Sequence, residues 1–163
     1  MNIISAALIS LEGNRLWIIK SLPIKTKDIL ESKLMLHLAL CVPPGLLFSI
    51  VGSVVFSLSL LVIIVPIVFT VFEALLGLLI NLWKPKFDWI NETVVVKQSA
   101  AVMITMFGTM ALVVFIGGIY IGYLNEFIGA VTYVYIMLAL FLIIDIAFYY
   151  LLNTWGIKRF EEL

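Results

Sequence analysis

Between Leu34 and Leu82 the chain carries no Lys or Arg, and this run of 49 residues fixes what it can fold into. As one helix it would be about 73 Å long, more than twice the roughly 30 Å hydrocarbon core of a bilayer, so it has to fold back as two spans. Lipid is the relevant solvent because 64% of the 163 residues are hydrophobic, against about 45 to 50% in soluble domains. The spans are expected at 34–55 and 58–82, with a tight turn near Gly52 to Ser57. Pro43, Pro44 and Pro66 fall inside them, where each removes a backbone donor and favours a kink. A re-entrant hairpin broken at Pro43 and Pro44 is the alternative to a straight crossing.

Two further apolar runs, 99–122 and 128–153, read as the third and fourth spans. Asp145 is the objection to the last. A central carboxylate costs about 3 kcal/mol, whereas fourteen Leu, Ile, Val and Phe residues lie between Ile128 and Leu152, each contributing roughly 0.3 to 0.6 kcal/mol to insertion. Insertion wins. The expected fold is an all-α integral membrane protein, with four transmembrane helices preceded by a cytoplasmic interfacial, coupling-like helical segment. Its divisions are an apolar N-terminal stump at 1–11, the polar segment at 12–33, the membrane domain at 34–154 and a tail at 155–163.

With four spans every basic residue falls on one side: Arg15, Lys20, Lys25, Lys27 and Lys33 before the first span, Lys84, Lys86 and Lys97 between the second and third, Lys158 and Arg159 after the fourth. The positive-inside rule assigns that side to the cytoplasm. Localisation in the cell membrane, with both charged ends cytoplasmic, is the expectation. The formal net charge of zero gives no support to a nucleic-acid partner. Cys41 is the single cysteine, which excludes an intramolecular disulfide and favours a small buried hydrophobe.

The polar segment Glu12 to Lys33 is where a partner is expected. Leu16, Trp17, Ile18, Ile19 and Leu22 spread around a helix instead of forming one stripe. Such a helix suits contact with lipid or the protein's own spans on one side and a partner on the other. A plain interfacial linker with snorkelling Arg15 and Lys20 is the other reading. Pro23 ends this helix. The next is expected to start at Thr26 as N-cap, with Asp28 in its first turn and Lys27 and Glu31 as an i, i+4 pair, and to run on into the first span.

The succession of Glu12-Gly13, Leu16-Trp17-Ile18-Ile19, Ser21-Leu22-Pro23-Ile24 and a capped helix with Ile29, Leu30 and Lys33 entering a span resembles the coupling segment of type-2 ATP-binding-cassette (ABC) exporter permeases. Asn81-Leu82, Pro85, Asp88-Trp89, Asn91-Glu92 and Val95 to Ser99 are similar to the loop before the fifth span in a group of large bacterial permeases of this type. The resemblance implies a permease subunit in a bacterial inner membrane that moves a substrate with a separate ATPase chain. That ATPase would contact Glu12, Arg15, Trp17, Ile18, Lys20, Pro23 and Asp28. Further permease spans or a second permease copy would complete it, since the four spans would be the third to sixth and Met1 to Leu11 the remnant of the second. A non-transporting membrane adaptor, or an inactive permease fragment binding a partner through the same segments, is the alternative.

Inside the membrane, Glu73 and Asp145 are a candidate polar site, because burying a carboxylate there is costly. Each is placed about nine residues from the cytoplasmic end of its span; the plain reading is a protonated or hydrogen-bonded packing residue. Gly118 and Gly122 form a GxxxG pair, continued by Gly117 and Gly108, read as helix packing within the bundle. His37 reads as a packing residue, with no companions at metal-ligand spacing. No cofactor or metal is expected. GxxxxGK[ST], HExxH and GxSxG are absent from the sequence, so no nucleotide-binding or hydrolytic motif supports an enzyme and ATP hydrolysis would reside in a partner.

Overall fold

The computed structural model describes residues 4–55 and 61–163. Four helices are long and apolar enough to cross a membrane, and the described residues contain no strand. A short 3-10 stretch, Ser10–Arg15, leads into α1 (Leu16–Ser21). The spans are α2 (Thr26–Val55), α3 (Leu61–Trp83), α5 (Ala100–Ile119) and α6 (Ala130–Leu151). Between α3 and α5 lies the short α4 (Glu92–Gln98), and α7 (Ile157–Glu162) closes the chain.

The helix α3 is the axis. Of its most apolar window 44% is buried, against 11 to 17% for the other three spans, and it packs against α2, α5 and α6. In a bilayer, where lipid tails are as apolar as these side chains, close packing and hydrogen bonds rather than burial from water would hold such a bundle together. Phe72 illustrates the packing. Its ring lies 5.0 Å from Phe141 at a steep angle and 5.8 Å from Phe148 in a stacked arrangement. Rings in such pairs contribute about 0.5 to 1.5 kcal/mol each beyond their buried area.

The prolines do not break the spans. α2 continues through Pro43 and Pro44 as one helix long and apolar enough to cross a membrane, and is not broken there into a hairpin. The hydroxyls of Ser49, Ser53 and Thr70 each donate to the carbonyl four residues back, which satisfies them without a partner in lipid. Gly52 to Val55 belong to α2 and not to the expected turn; Phe56 to Leu60, which include the last two residues of that turn and the start of the second span, lie outside the described residues. The third span ends in a widened π turn, Tyr120–Leu124, and Tyr120 stacks on Tyr133 at 4.7 Å where α6 begins.

The basic end is more closely knit. Asn91 caps α4 by accepting from the Thr93 amide, and Ser99 caps α5 by accepting from the Val102 amide. After a second π turn, Leu152–Gly156, the C-terminal residues fold back as α7, with Phe160 1% exposed among Leu30, Leu34 and Leu82. Arg159 donates to the carbonyl of Leu82, one of the orphan acceptors at the end of α3. What sequence reading left as a tail is therefore part of the packed end.

The GxxxG face contradicts its expected role. Among the described residues nothing lies within 4 Å of a Cβ built on Gly108, Gly117, Gly118 or Gly122. These glycines do not bring α5 against its own bundle. Tight approach falls instead to Gly77 on α3, where a built Cβ would be 2.2 Å from Ser5 Oγ and 3.0 Å from the Ala6 amide nitrogen.

Candidate functional site

Residues 4–15 occupy a slot along α3, and from there the chain emerges as α1. Ser5, Ala6, Ile9 and Ser10 are fully buried. A buried stretch outside regular helix has to place its backbone polar groups somewhere, because an unpaired one costs about as much as a lost hydrogen bond. Local turns meet some of them, the Ala7, Leu11 and Glu12 amides donating to the carbonyls of Ile4, Ala7 and Ile9, and side chains meet others. The Ser5 amide donates to His37 Nδ1 (3.1 Å), which leaves that ring's proton on Nε2. The Ser10 amide and hydroxyl both donate to Asn81 Oδ1, at 3.1 and 3.3 Å, while Asn81 Nδ2 donates to the carbonyl of Ala6. Trp89 Nε1 donates to the Ser10 carbonyl (2.8 Å), and the Lys86 amide donates to the Ser10 hydroxyl (2.9 Å).

These contacts fix a direction. Ser5 lies against Gly77 and donates its hydroxyl to the carbonyl of Glu73, whereas Ser10 meets Asn81, one to two turns nearer the basic end. The segment thus descends along α3 toward the charged end. At its foot Gly13 adopts φ +47°, and a Cβ there would lie 2.9 Å from three atoms of the Trp89 ring. Gly13→Ala is expected to destabilise the folded protein by about 1 to 3 kcal/mol through strain and crowding together. A thermal melt in detergent checks this; an unchanged midpoint would mean that Trp89 moves aside at no cost.

Glu12, expected to face a partner, turns inward and pairs with Lys33, the two side chains being 15% and 11% exposed. Lys33 also donates to the carbonyl of Leu8. The other predicted contact residues behave differently. Arg15, Pro23 and Asp28 are exposed, and Trp17 and Ile18 on α1 are 67% and 44% exposed. Leu16 on the same helix is buried, so α1 has one inner edge and an apolar outer face. Lys20 donates to the carbonyl of Glu161 (3.0 Å) and lies 5.8 Å over the Phe160 ring, which braces α1 against α7.

The chain stops and restarts as its prolines and charges dictate. α1 ends at Ser21 and Leu22 is extended (ψ 144°), the conformation required before Pro23. Lys27 and Glu31 pair at 3.5 Å. Thr26, however, is the first residue of α2 and not its cap. The carbonyl of Lys25 accepts from the Asp28 and Ile29 amides, and the Thr26 hydroxyl donates to Glu161. Three separate contacts therefore tie the α1–α2 corner to the C-terminal helix.

The intramembrane carboxylates are both buried, Glu73 at 6% and Asp145 at 7% exposure. Asp145 lies between Phe141 and Phe148 on α6, and both rings pack on Phe72, so the two acids share one level of the bundle. They lie on different sides of α3. Phe72 looks toward α6, whereas Glu73 shares with Gly77 the face that meets the N-terminal segment. Among the described residues, Asp145 Oδ1 has no hydrogen-bond partner and no three His, Cys, Asp or Glu side chains converge as metal ligands would.

Sequence reasoning missed Gly77, Asn81, Ser5 and Ser10 as a unit. Their partners lie 32 to 79 residues apart, and a single Gly or Asn within an apolar span gives no local sign of what crosses it. Comparison of the chain with family models, curated proteins and solved structures returns no match.

Proposed function

We propose that this chain is the membrane-embedded permease subunit, or part of one, of an ABC-type exporter, and that α1 is the surface on which a separate ATPase acts. The observation that carries the reading is the construction of α1. It shows Trp17 and Ile18 outward and is braced behind by Leu16, Lys20 and Phe160, so force applied to its outer face reaches the bundle instead of bending a loose loop. Two routes lead inward. One is α2, which starts five residues after α1 and continues for 30 residues through the membrane. The other is the slot segment, hydrogen-bonded to α3 through Asn81. Movement of α1 would shift α2 and α3 together. The resemblance of Glu12 to Lys33 to coupling segments supports the same assignment, and the gathering of basic residues at this end supports its placement in the cytoplasm.

The test is ATPase association. Tagged protein extracted gently from its native membrane is expected to elute with vanadate-sensitive ATP hydrolysis, and Trp17→Asp with Ile18→Asp is expected to remove at least about nine-tenths of it, as loss of two central apolar anchors does at protein interfaces. Hydrolysis retained by the double variant removes the proposed role of α1. Orientation has its own test. After Cys41→Ala, a cysteine at Lys86 is expected to react with an impermeant maleimide only from the cytoplasmic side, and one at Glu126 only from outside. The reverse pattern would invert the bundle.

A further inference from the structure

We infer that the cavity between the foot of the slot segment and the α3–α4 connection is a binding site for a phosphoethanolamine group, the zwitterionic headgroup of a phospholipid. The cavity has a volume of about 660 Å³ and is lined by Glu12, Arg15, Phe87, Trp89, Ile90 and Glu92 among others. That size suits a small ligand. Its walls carry both signs of charge together with aromatic rings, a combination that fits neither a simple anion nor a purely apolar chain.

Each part of the group has a counterpart. Arg15, exposed at the rim, offers a guanidinium fork for phosphate. Glu92, exposed on the same wall, offers carboxylate oxygens for a primary ammonium, which brings three N–H donors. Glu12 is already paired through one oxygen with Lys33, yet its other oxygen, Oε2, is buried without a partner among the described residues. That oxygen is closed to solvent, so Glu12 adds negative potential behind the wall and the direct contact to the ammonium falls to Glu92. Phe87 and Trp89 line the same cavity. Trp89 is held in place by its bond to the Ser10 carbonyl.

The surroundings favour a lipid as the source. Ile90 at the rim is fully exposed, and Trp83 at the end of α3 is 55% exposed. Apolar side chains projecting beside a charged cavity match the boundary where headgroups meet acyl chains. The proposal does not depend on the exporter reading, since it uses neither Trp17 nor an ATPase.

The experiment is native mass spectrometry of the delipidated protein in detergent, titrated with phosphatidylethanolamine, phosphatidylcholine and phosphatidylglycerol of identical acyl chains. The first phosphatidylethanolamine adduct is expected at about a tenfold lower concentration than either other lipid, because only it combines phosphate with an ammonium that donates hydrogen bonds. Glu92→Gln is expected to abolish the preference over phosphatidylcholine, and Arg15→Ala to weaken all three. Both positions are on the surface, and a melt of each variant confirms that it is folded. Equal binding of the three lipids, or an unchanged preference in both variants, overturns the site. Glycerophosphoethanolamine separates the sources: competition only in large excess assigns the group to lipid, whereas competition at equal concentration assigns it to a soluble phosphoethanolamine compound and overturns the lipid assignment.

Discussion

Asn81→Leu is expected to destabilise the protein by about 2 to 6 kcal/mol and to release residues 4–12 from their slot. Asn81 is fully buried and serves two distant backbone sites at once, accepting from Ser10 and donating to the carbonyl of Ala6. Leucine matches it in size but provides no polar atom. The Ser10 amide and the Ala6 carbonyl would be left unpaired in an apolar setting, each at a cost of about 1 to 3 kcal/mol. Asn81→Asp is instructive because it keeps the acceptor for Ser10 yet sets a carboxylate oxygen against the Ala6 carbonyl oxygen. It is expected to be at least as harmful. Release is read directly by a cysteine at Ala7, which is 2% exposed in the folded chain. Maleimide should label it slowly in the parent and rapidly in the Asn81→Leu variant; slow labelling in both would show that the slot holds without Asn81.

Gly77→Val carries the second large effect. A single carbon added at this position clashes with Ser5 Oγ, which rotation of that side chain about Cα–Cβ can relieve, but also meets the Ala6 amide nitrogen at 3.0 Å, which belongs to the backbone and cannot turn away. Valine adds two more carbons into the same space. Overpacking of this kind costs about 1 to 3 kcal/mol, and here the easier response is expulsion of the segment. Gly108→Ala is the matched comparison. It lies in a span, with open space where its Cβ would be, and is expected to gain about 0.5 to 1 kcal/mol from helix propensity alone. A melt in one detergent compares the two. Equal responses would mean that the close approach at Gly77 is unimportant.

The contrast between these glycines shows what the sequence discloses and what it hides. Spans are legible because lipid demands long uncharged runs: the ends of α2, α3, α5 and α6 fall within a few residues of expectation, and the helix expected from Thr26 does run on into α2 without a break. Pro23 and the Lys27–Glu31 pair are legible because their effects are local. GxxxG misleads because it records only permission for close approach; on α5 no helix of the bundle takes it up. Gly77 shows no such pattern yet is the point of closest approach. Its significance depends on Ser5, 72 positions away in sequence, whose place in the bundle follows from tertiary packing. Glu12 is a further case. A charge in a polar stretch reads as a contact for a partner, but Lys33, at the membrane entrance of α2, claims it first.

Candidate chemistry follows the same division. Glu73 and Asp145 stand out in sequence because carboxylates are rare in spans, and the structure buries both at one level. Their separation onto two sides of α3 could not be read from spacing, since it depends on which neighbour each face meets. The mixed-charge cavity below the slot is assembled from residues 11–15 and 87–92 and exists only once the N-terminal segment lies beside the α3–α4 connection.

Photo-crosslinking from α1 tests the functional account most directly. A benzoylphenylalanine in place of Trp17, irradiated in native membranes, is expected to form an adduct with an ATP-binding chain, while the same probe at Ile121, exposed at the opposite end of the bundle, is expected to form none. An adduct of equal yield from both positions, or none with any nucleotide-binding chain from Trp17, would contradict the proposal that this face receives force from an ATPase.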